Sequence, residues 1–261
     1  MNASKLKIEI ITLFPSYFDG PLRESILGRG IREGLYNIET INLREFGLGK
    51  HKVVDNAPFG GGGGMALMLE PLTKCLESLG YSADDPNGFE KDCHLILTSA
   101  AGKKFEQKLA VEYSLARRLT IICGHYLGVD ERLLSLFPME EISIGDFTLT
   151  GGEPAAAVMV DAVCRLVPGA LRNFSSAQED SHQEGILGAP VYTRPEIYRE
   201  MPTPKELLSG DHKKVKEYRR QSALEKTERM RPDLLRKKDI SESVSPDKQN
   251  LAPIQNGICL E

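Results

Sequence analysis

An α/β fold, with a mostly parallel sheet and a small helical C-terminal domain, is predicted by three observations on this 261-residue chain. Short, nearly continuous apolar runs alternate with stretches of helical periodicity, as expected when a parallel sheet is covered on both faces. Glycine-rich turns fall where those runs end, the place where open α/β sheets bind ligands. Basic residues then concentrate in a charged helical segment near the C-terminus.

The elements follow in order. Ile8–Phe14 reads as a strand closed by Pro15, Tyr17–Glu33 as a helix with glycines near its end, and Tyr36–Leu43 as an alternating strand. Leu69–Leu79 is a helix, His94–Thr98 a strand, Lys104–Ser114 a helix and Leu119–Cys123 a strand. Val129–Leu136 is a short helix and Glu141–Ile144 a strand, and Ala155–Val167 is a helix ended by Pro168-Gly169. Arg172–Gly188, rich in Ser, Gln, Glu, Asp and Gly, reads as a mobile linker. Val191–Tyr198 is extended, Pro202–Leu208 opens a helix near Pro204, His212–Met230 is a strongly charged helix, and Arg231–Leu235 is a second short one. Residues beyond about Ser241 are polar and Pro-containing, a composition expected to be disordered. The organisation is therefore a sheet domain at 1–171, a linker at 172–188, a basic helical domain at 189–238 and a tail at 239–261.

Composition narrows the function. No apolar run approaches the roughly 18 residues of a membrane helix, and the N-terminus is punctuated too early for a signal peptide. The five cysteines show no C-x-x-C spacing, so neither a zinc site nor a disulfide framework is supported, and free thiols in a reducing compartment are expected. The net charge of −4 conceals an asymmetry. From Arg194 to Lys238 there are fourteen Lys/Arg against eight Asp/Glu, a net of +6 that leaves −10 elsewhere. An acidic body with a basic arm suits a polyanionic partner, although a charged helix is as often a solvated, salt-bridged face.

Two glycine motifs stand out. Phe59–Met65 contains five consecutive glycines, which cannot form a helix or strand interior and leave backbone open to whatever lies against it. Met65-Ala66-Leu67 follows where a nucleotide triphosphate loop would need Gly-Lys-Ser/Thr, so that reading is rejected. Glu141–Glu153 runs from a strand through Gly145-Asp146 and Gly151-Gly152 into a helix, a turn whose backbone could approach a flat ligand closely. With Ser99–Gly102 and Cys123-Gly124, these strand-end loops converge on one pocket. His125 and Tyr126 stand beside it, where a tyrosine could pack on a flat ring or be a core aromatic. Arg165, inside an apolar helical stretch, needs either a snorkelling path or an anionic target. Asp180 lies among the polar residues of the linker, where a solvated acid is the ordinary expectation.

Taken together, these segments resemble one family, the bacterial tRNA (guanine-N1)-methyltransferases of the knotted SPOUT class. The likeness covers roughly Lys7 to Leu235. It is carried by Ile11-Thr12-Leu13-Phe14-Pro15, Pro58-Phe59-Gly60-Gly61-Gly62, Gly64-Met65, Ile122-Cys123-Gly124 and Gly128-Val129-Asp130-Glu131-Arg132. It continues through Ile142–Asp146, Leu149–Glu153, Tyr192-Thr193-Arg194-Pro195, Leu207–Gly210 and Arg231–Leu235. The resemblance implies a deep trefoil knot, which periodicity and spacing would not predict. It implies transfer of a methyl group from S-adenosylmethionine to N1 of guanine 37 of tRNA, in the cytoplasm. The donor pocket falls on Ser99, Gly124, Tyr126, Ser143, Ile144, Gly145, Asp146, Phe147, Thr148, Leu149, Gly151 and Gly152. The general base falls on Asp180 and the assisting arginine on Arg165. Contacts to tRNA are expected at Gly61, Gly62, Lys213, Lys214, Lys216, Arg219 and Arg220. A homodimer with its active site at the subunit interface is implied; no protein-bound metal is expected, and any need for Mg²⁺ rests on family likeness alone.

The chain departs from the family pattern at His125 and Leu127, where Arg and Glu are usual, and at Gly63, Ala100 and Ala155, where proline is usual. Leu127 matters most, because the family's acid there serves the methionine end of the donor. Two other readings follow: the same fold acting on another RNA nucleotide, and a tRNA-binding protein with weakened or lost methyl transfer.

Overall fold

The computed structural model describes residues 5–84, 92–171, 180–183 and 185–236. The chain divides into two compact units, Met1–Ala177 and Gln178–Glu261. The expected tail at 239–261 and most of the expected linker, 172–179 and 184, lie outside the described residues.

The first unit contains strands β1 (Leu6–Thr12), β2 (Tyr36–Asn42), β3 (Asp55–Asn56), β4 (Ala66–Leu67), β5 (Cys93–Lys104), β6 (Arg118–Cys123) and β7 (Glu140–Ser143). Its helices are α1 (Ser25–Arg32), α2 (Leu69–Ser78), α3 (Gln107–Ser114), α4 (Arg132–Leu136) and α5 (Glu153–Cys164). Five strands form a parallel sheet in the order β2-β1-β6-β5-β7. Alternate residues of each strand feed separate cores, because successive side chains point to opposite faces. Ile8, Ile10, Ile96, Leu119 and Ile121 join α1, α3 and α5 residues in one cluster. Ile11, Leu95, Leu97 and Ile122 join α2 and α4 residues in the other. Covering both faces is why the central strands β5 and β6 read as nearly continuous apolar runs at Leu95–Leu97 and Leu119–Cys123.

Several boundaries differ from expectation for local reasons. The helix expected over Tyr17–Glu33 begins only at Ser25; Pro15–Phe18 is a 3-10 turn, and Pro21 disfavours helical backbone at the residue before it. The helix expected from Lys104 begins at Gln107, because Lys103 and Lys104 pair with Ile142 and Ser143 of β7. Thr98 also pairs with Ile142, so Ser99–Gly102 leaves the ladder as a four-residue excursion between two contacts on the same partner. Residues 129–131 precede α4, with Val129 in a parallel bridge to Leu67 and the next two residues in loop and turn. α5 starts at Glu153 with a proline in its first turn, a position where the missing N–H costs nothing. It ends at Cys164, leaving Arg165 as its C-terminal cap.

The second unit contains the hairpin β8 (Ile197–Tyr198) and β9 (Met201–Pro202), then α6 (Lys205–Leu208) and α7 (His212–Met230). Asp211 caps α7 by accepting from the Lys213 and Lys214 amides at 2.9 and 3.2 Å. The described end of the expected linker is built onto α7. The Leu187 amide donates to Thr227 Oγ1 at 2.9 Å, and the Lys226 ammonium donates to the Gly188 carbonyl at 3.3 Å. Among the described residues, no helix is long and apolar enough to cross a membrane.

Candidate active site

The loops that leave the carboxyl ends of β5, β6 and β7 enclose a cavity of about 410 Å³, within the range of small-molecule sites. Its wall includes Ser99, Gly124, Tyr126, Ser143, Ile144, Gly145, Phe147, Thr148, Leu149, Gly151 and Gly152. Of the donor residues expected from the sequence, only Asp146 is outside that wall, where it is exposed.

Backbone contacts hold the loops together. The Gly152 amide donates to the Gly124 carbonyl at 2.7 Å, and His125 bridges Gly151. A Cβ at Gly152 would strike Thr98 Oγ1 and lie 2.8 Å from the Gly124 nitrogen, so only glycine permits this approach. Thr98 Oγ1 accepts from the Gly124 amide at 3.0 Å and donates to the Ile122 carbonyl at 3.2 Å. Ser143 Oγ accepts from the Gly145 amide at 3.2 Å and donates to the Gly145 carbonyl at 3.0 Å, which fixes the next turn. Behind the glycine pair, Thr12 Oγ1 donates to buried Glu153 at 2.7 Å and accepts from the Phe14 amide at 2.9 Å. That contact ties the end of β1 to the start of α5. The His125 ring packs against Phe14 and Tyr126, and its buried Nδ1 has no hydrogen-bond partner among the described residues. Beside this cluster, burial pushes the Cys123 thiol well above its usual range, and Glu153 adds to the rise.

A further wall comes from the segment after β6. Tyr126 takes a left-handed φ of 61°, and the Leu127 amide donates to the Met65 carbonyl at 3.0 Å. Leu127, Gly128, Val129, Glu131 and Leu134 line the cavity here, and Leu127 is 64% exposed. The polyglycine loop connects β3 to β4 next to this wall. Gly60, Gly61 and Gly62 take φ values of 89°, 79° and 103° with open space where a side chain would stand. That left-handed backbone is what demands glycine there. Gly61 and Gly62 do not line the cavity itself.

The sequence reading singled out position 127 at the donor's methionine end but missed Thr98 and the wall from Gly128 to Leu134. Thr98 carries a detectable signal, a hydroxyl at the end of an apolar strand run. Glu131 carries none, since its neighbours Asp130 and Arg132 are equally charged.

Arg165 and Asp180 are placed differently. α5 starts at the cavity and is about 18 Å long at 1.5 Å per residue, so Arg165, half-buried at its far end, lies away from the cavity of its own chain. Asp180 belongs to the second unit, where it opens a turn and its carbonyl accepts from the Gln183 amide at 3.4 Å. The basic residues Lys213, Lys214, Lys216, Arg219 and Arg220 all lie in the N-terminal half of α7. Among the described residues, no group of three His, Cys, Asp or Glu could hold a metal ion.

Comparison with known proteins agrees across nearly the whole chain. The family model described as tRNA (Guanine-1)-methyltransferase TrmD matches residues 6–237. A tRNA (guanine-N(1)-)-methyltransferase of Geobacter sulfurreducens is 46% identical over 250 residues, 96% of this chain and 98% of the relative. One from Persephonella marina is 42% identical over 257 residues, 98% and 97% of the two chains, and one from Alkaliphilus oremlandii is 44% identical over 229 residues, 88% and 92%. With the matched span running from β1 to the end of the second unit's helices, the chain belongs to the tRNA (guanine-1)-methyltransferase TrmD family.

Proposed function

We propose that this chain methylates N1 of guanine 37 in tRNA, with S-adenosylmethionine as donor, acting as a homodimer in the cytoplasm. The observation that carries the reading is the strand-end cavity closed by the Gly124–Gly152 contact. A flat adenine can lie against backbone there, and among the described residues no Lys or Arg lines the wall to repel a cationic donor. S-adenosylmethionine supplies a methyl group already activated on a sulfonium sulfur.

The residues supply the rest. N1 of guanine holds a proton and is a poor nucleophile until a base removes it. The Asp180 carboxylate takes that proton, and the Arg165 guanidinium meets the negative charge that grows on O6. The N1 lone pair then forms the new bond to the methyl carbon as the carbon–sulfur bond breaks, its electrons passing to sulfur. Holding N1 in line with that bond supplies much of the remaining rate.

The length of α5 supports the dimer. An Arg165 about 18 Å from its own cavity serves a cavity only if another copy presents it. The basic half of α7 supports the tRNA partner, gripping the phosphate backbone while the guanine is flipped out of its stack. The threaded connection of the family would lie among the loops after β5, β6 and β7, where the Gly124–Gly152 passage is tightest.

The test is methyl transfer from labelled S-adenosylmethionine to unmodified tRNA transcripts with G or A at position 37. Label incorporated only with G supports the reading. Label in neither transcript, with tRNA still bound, would favour a binding protein that has lost transfer.

A further inference from the structure

Among the described residues that line the cavity, the acids are Glu131 and Glu141. The neighbours of Glu131 are already committed. Asp130 is held in a two-pronged ion pair by Arg132, at 2.9 Å to Nε and 2.6 Å to Nη2, and those bonds keep its carboxyl below the usual carboxylate range. The Glu131 carboxylate has no hydrogen bond or ion pair among the described residues, although its backbone carbonyl accepts from the Leu134 amide at 3.2 Å, and the residue stands on the cavity wall at the start of α4. Glu141 belongs to the wall made by β7, next to the Ser99–Ala101 excursion and the Ser143–Gly152 turn, the side on which the proposed reading seats the adenine. Glu131 belongs to the wall built after β6, which it shares with Leu127 and Val129. A donor whose adenine lies on the β7 side would extend its amino-acid end toward the wall that carries Leu127 and the Glu131 carboxylate.

On the reading that S-adenosylmethionine is the donor, we infer that Glu131 binds the α-ammonium group of its amino-acid end. Leu127 contributes hydrocarbon contact at this end, and the anionic partner comes from the loop four residues later. A charge-assisted bond of this kind is stronger than a neutral one, so Glu131 sets donor affinity through the amino acid and leaves the adenosine half untouched.

The experiment is calorimetric titration of the full-length protein with two ligands, S-adenosylhomocysteine and 5′-methylthioadenosine, which lacks the amino-acid end. Glu131→Gln weakens S-adenosylhomocysteine by ~10-fold or more, the loss expected for a charged hydrogen bond, and changes 5′-methylthioadenosine by less than about twofold. Glu131→Lys extends the order, weakest for S-adenosylhomocysteine and flat for 5′-methylthioadenosine. An exposed carboxylate with no partner among the described residues leaves the thermal midpoint unchanged in both variants. Equal weakening of both ligands, or no weakening of either, overturns the role of Glu131. A loss seen in Glu141→Gln and absent from Glu131→Gln overturns it too. Failure of the wild-type chain to bind either ligand overturns the donor assignment itself, and this inference with it.

Discussion

Gly152→Ala tests whether close backbone approach holds the site together. The native φ of −81° and ψ of −8° suit alanine, so no backbone strain arises and any cost is steric. The new Cβ collides with Thr98 Oγ1 and lies 2.8 Å from the Gly124 nitrogen and 2.9 Å from the Cys123 Cα. Overpacking a rigid site costs about 1–3 kcal/mol. Displacing Thr98 also breaks its two hydrogen bonds, to the Gly124 amide and the Ile122 carbonyl, worth about 1 kcal/mol each. A loss of roughly 3–5 kcal/mol is large against total stabilities of about 5–15 kcal/mol. In a domain of this size it lowers the thermal midpoint by about 6–20 °C. Calorimetric melting with and without S-adenosylhomocysteine reads both the loss and the accompanying loss of ligand stabilisation. Gly63→Ala is the matched control, since Gly63 has no left-handed φ and nothing stands within 4 Å of its Cβ position; it shifts stability by less than about 0.5 kcal/mol. A Gly152→Ala protein melting within about 2 °C of wild type would refute the packing argument.

Thr12→Val removes the donor to buried Glu153 and destabilises by roughly 1.5–3 kcal/mol in urea titrations; an unchanged midpoint would mean the pair is worth nothing net. Burial alone would raise the Glu9 pKa, but hydrogen bonds from Lys7, Arg118 and Thr120 outweigh it and leave it below its usual 4.5. At acid pH the unfolded chain therefore binds more protons than the native one, so Glu9 contributes stability above that value that is lost as pH falls through the native pKa. Urea midpoints measured from pH 6 down to 3 should fall less steeply in Glu9→Gln; equal slopes would remove Glu9 from the account. Asp180→Asn cuts single-turnover methyl transfer by about 10²–10⁴-fold with donor and tRNA affinity nearly intact, and near-normal turnover would end its assignment as base. Lys213→Glu with Lys214→Glu weakens tRNA binding and lowers the slope of log affinity against log salt by about 1–2; an unchanged slope would show that α7 does not meet phosphates.

The strands were legible because the sheet is covered on both faces, so Ile8, Ile10 and Ile11 all had to be apolar even though they serve different cores. α7 was legible to its bounds because its charge pattern, its Asp211 cap and the break before Pro232 are all local signals. The excursion Ser99–Gly102 was not, since Ser-Ala-Ala-Gly reads equally well as strand end or helix approach and its form depends on two pairings with Ile142. The cavity was readable as a meeting of strand-end glycines. Its wall after Leu127 was not, because a charged run gives no hint that Asp130 pairs with Arg132 while Glu131 is among the residues lining the cavity. The remoteness of Arg165 from that cavity follows only once α5 has a start and a stop.

The bond from Thr12 to Glu153 spans 141 residues of chain. A ribosome adding about 5–20 residues per second needs roughly 7–28 s to make the second partner after the first. Throughout that interval β1 can pair with β2, but the wall behind the glycine turn has no counterpart, so the nascent chain holds a half-built cavity. Contacts of such long range also slow folding, because loop closure comes before the contact that rewards it. Completion of the cavity is thus a late event in the life of each molecule: no N-terminal fragment that stops short of α5 has all of its wall.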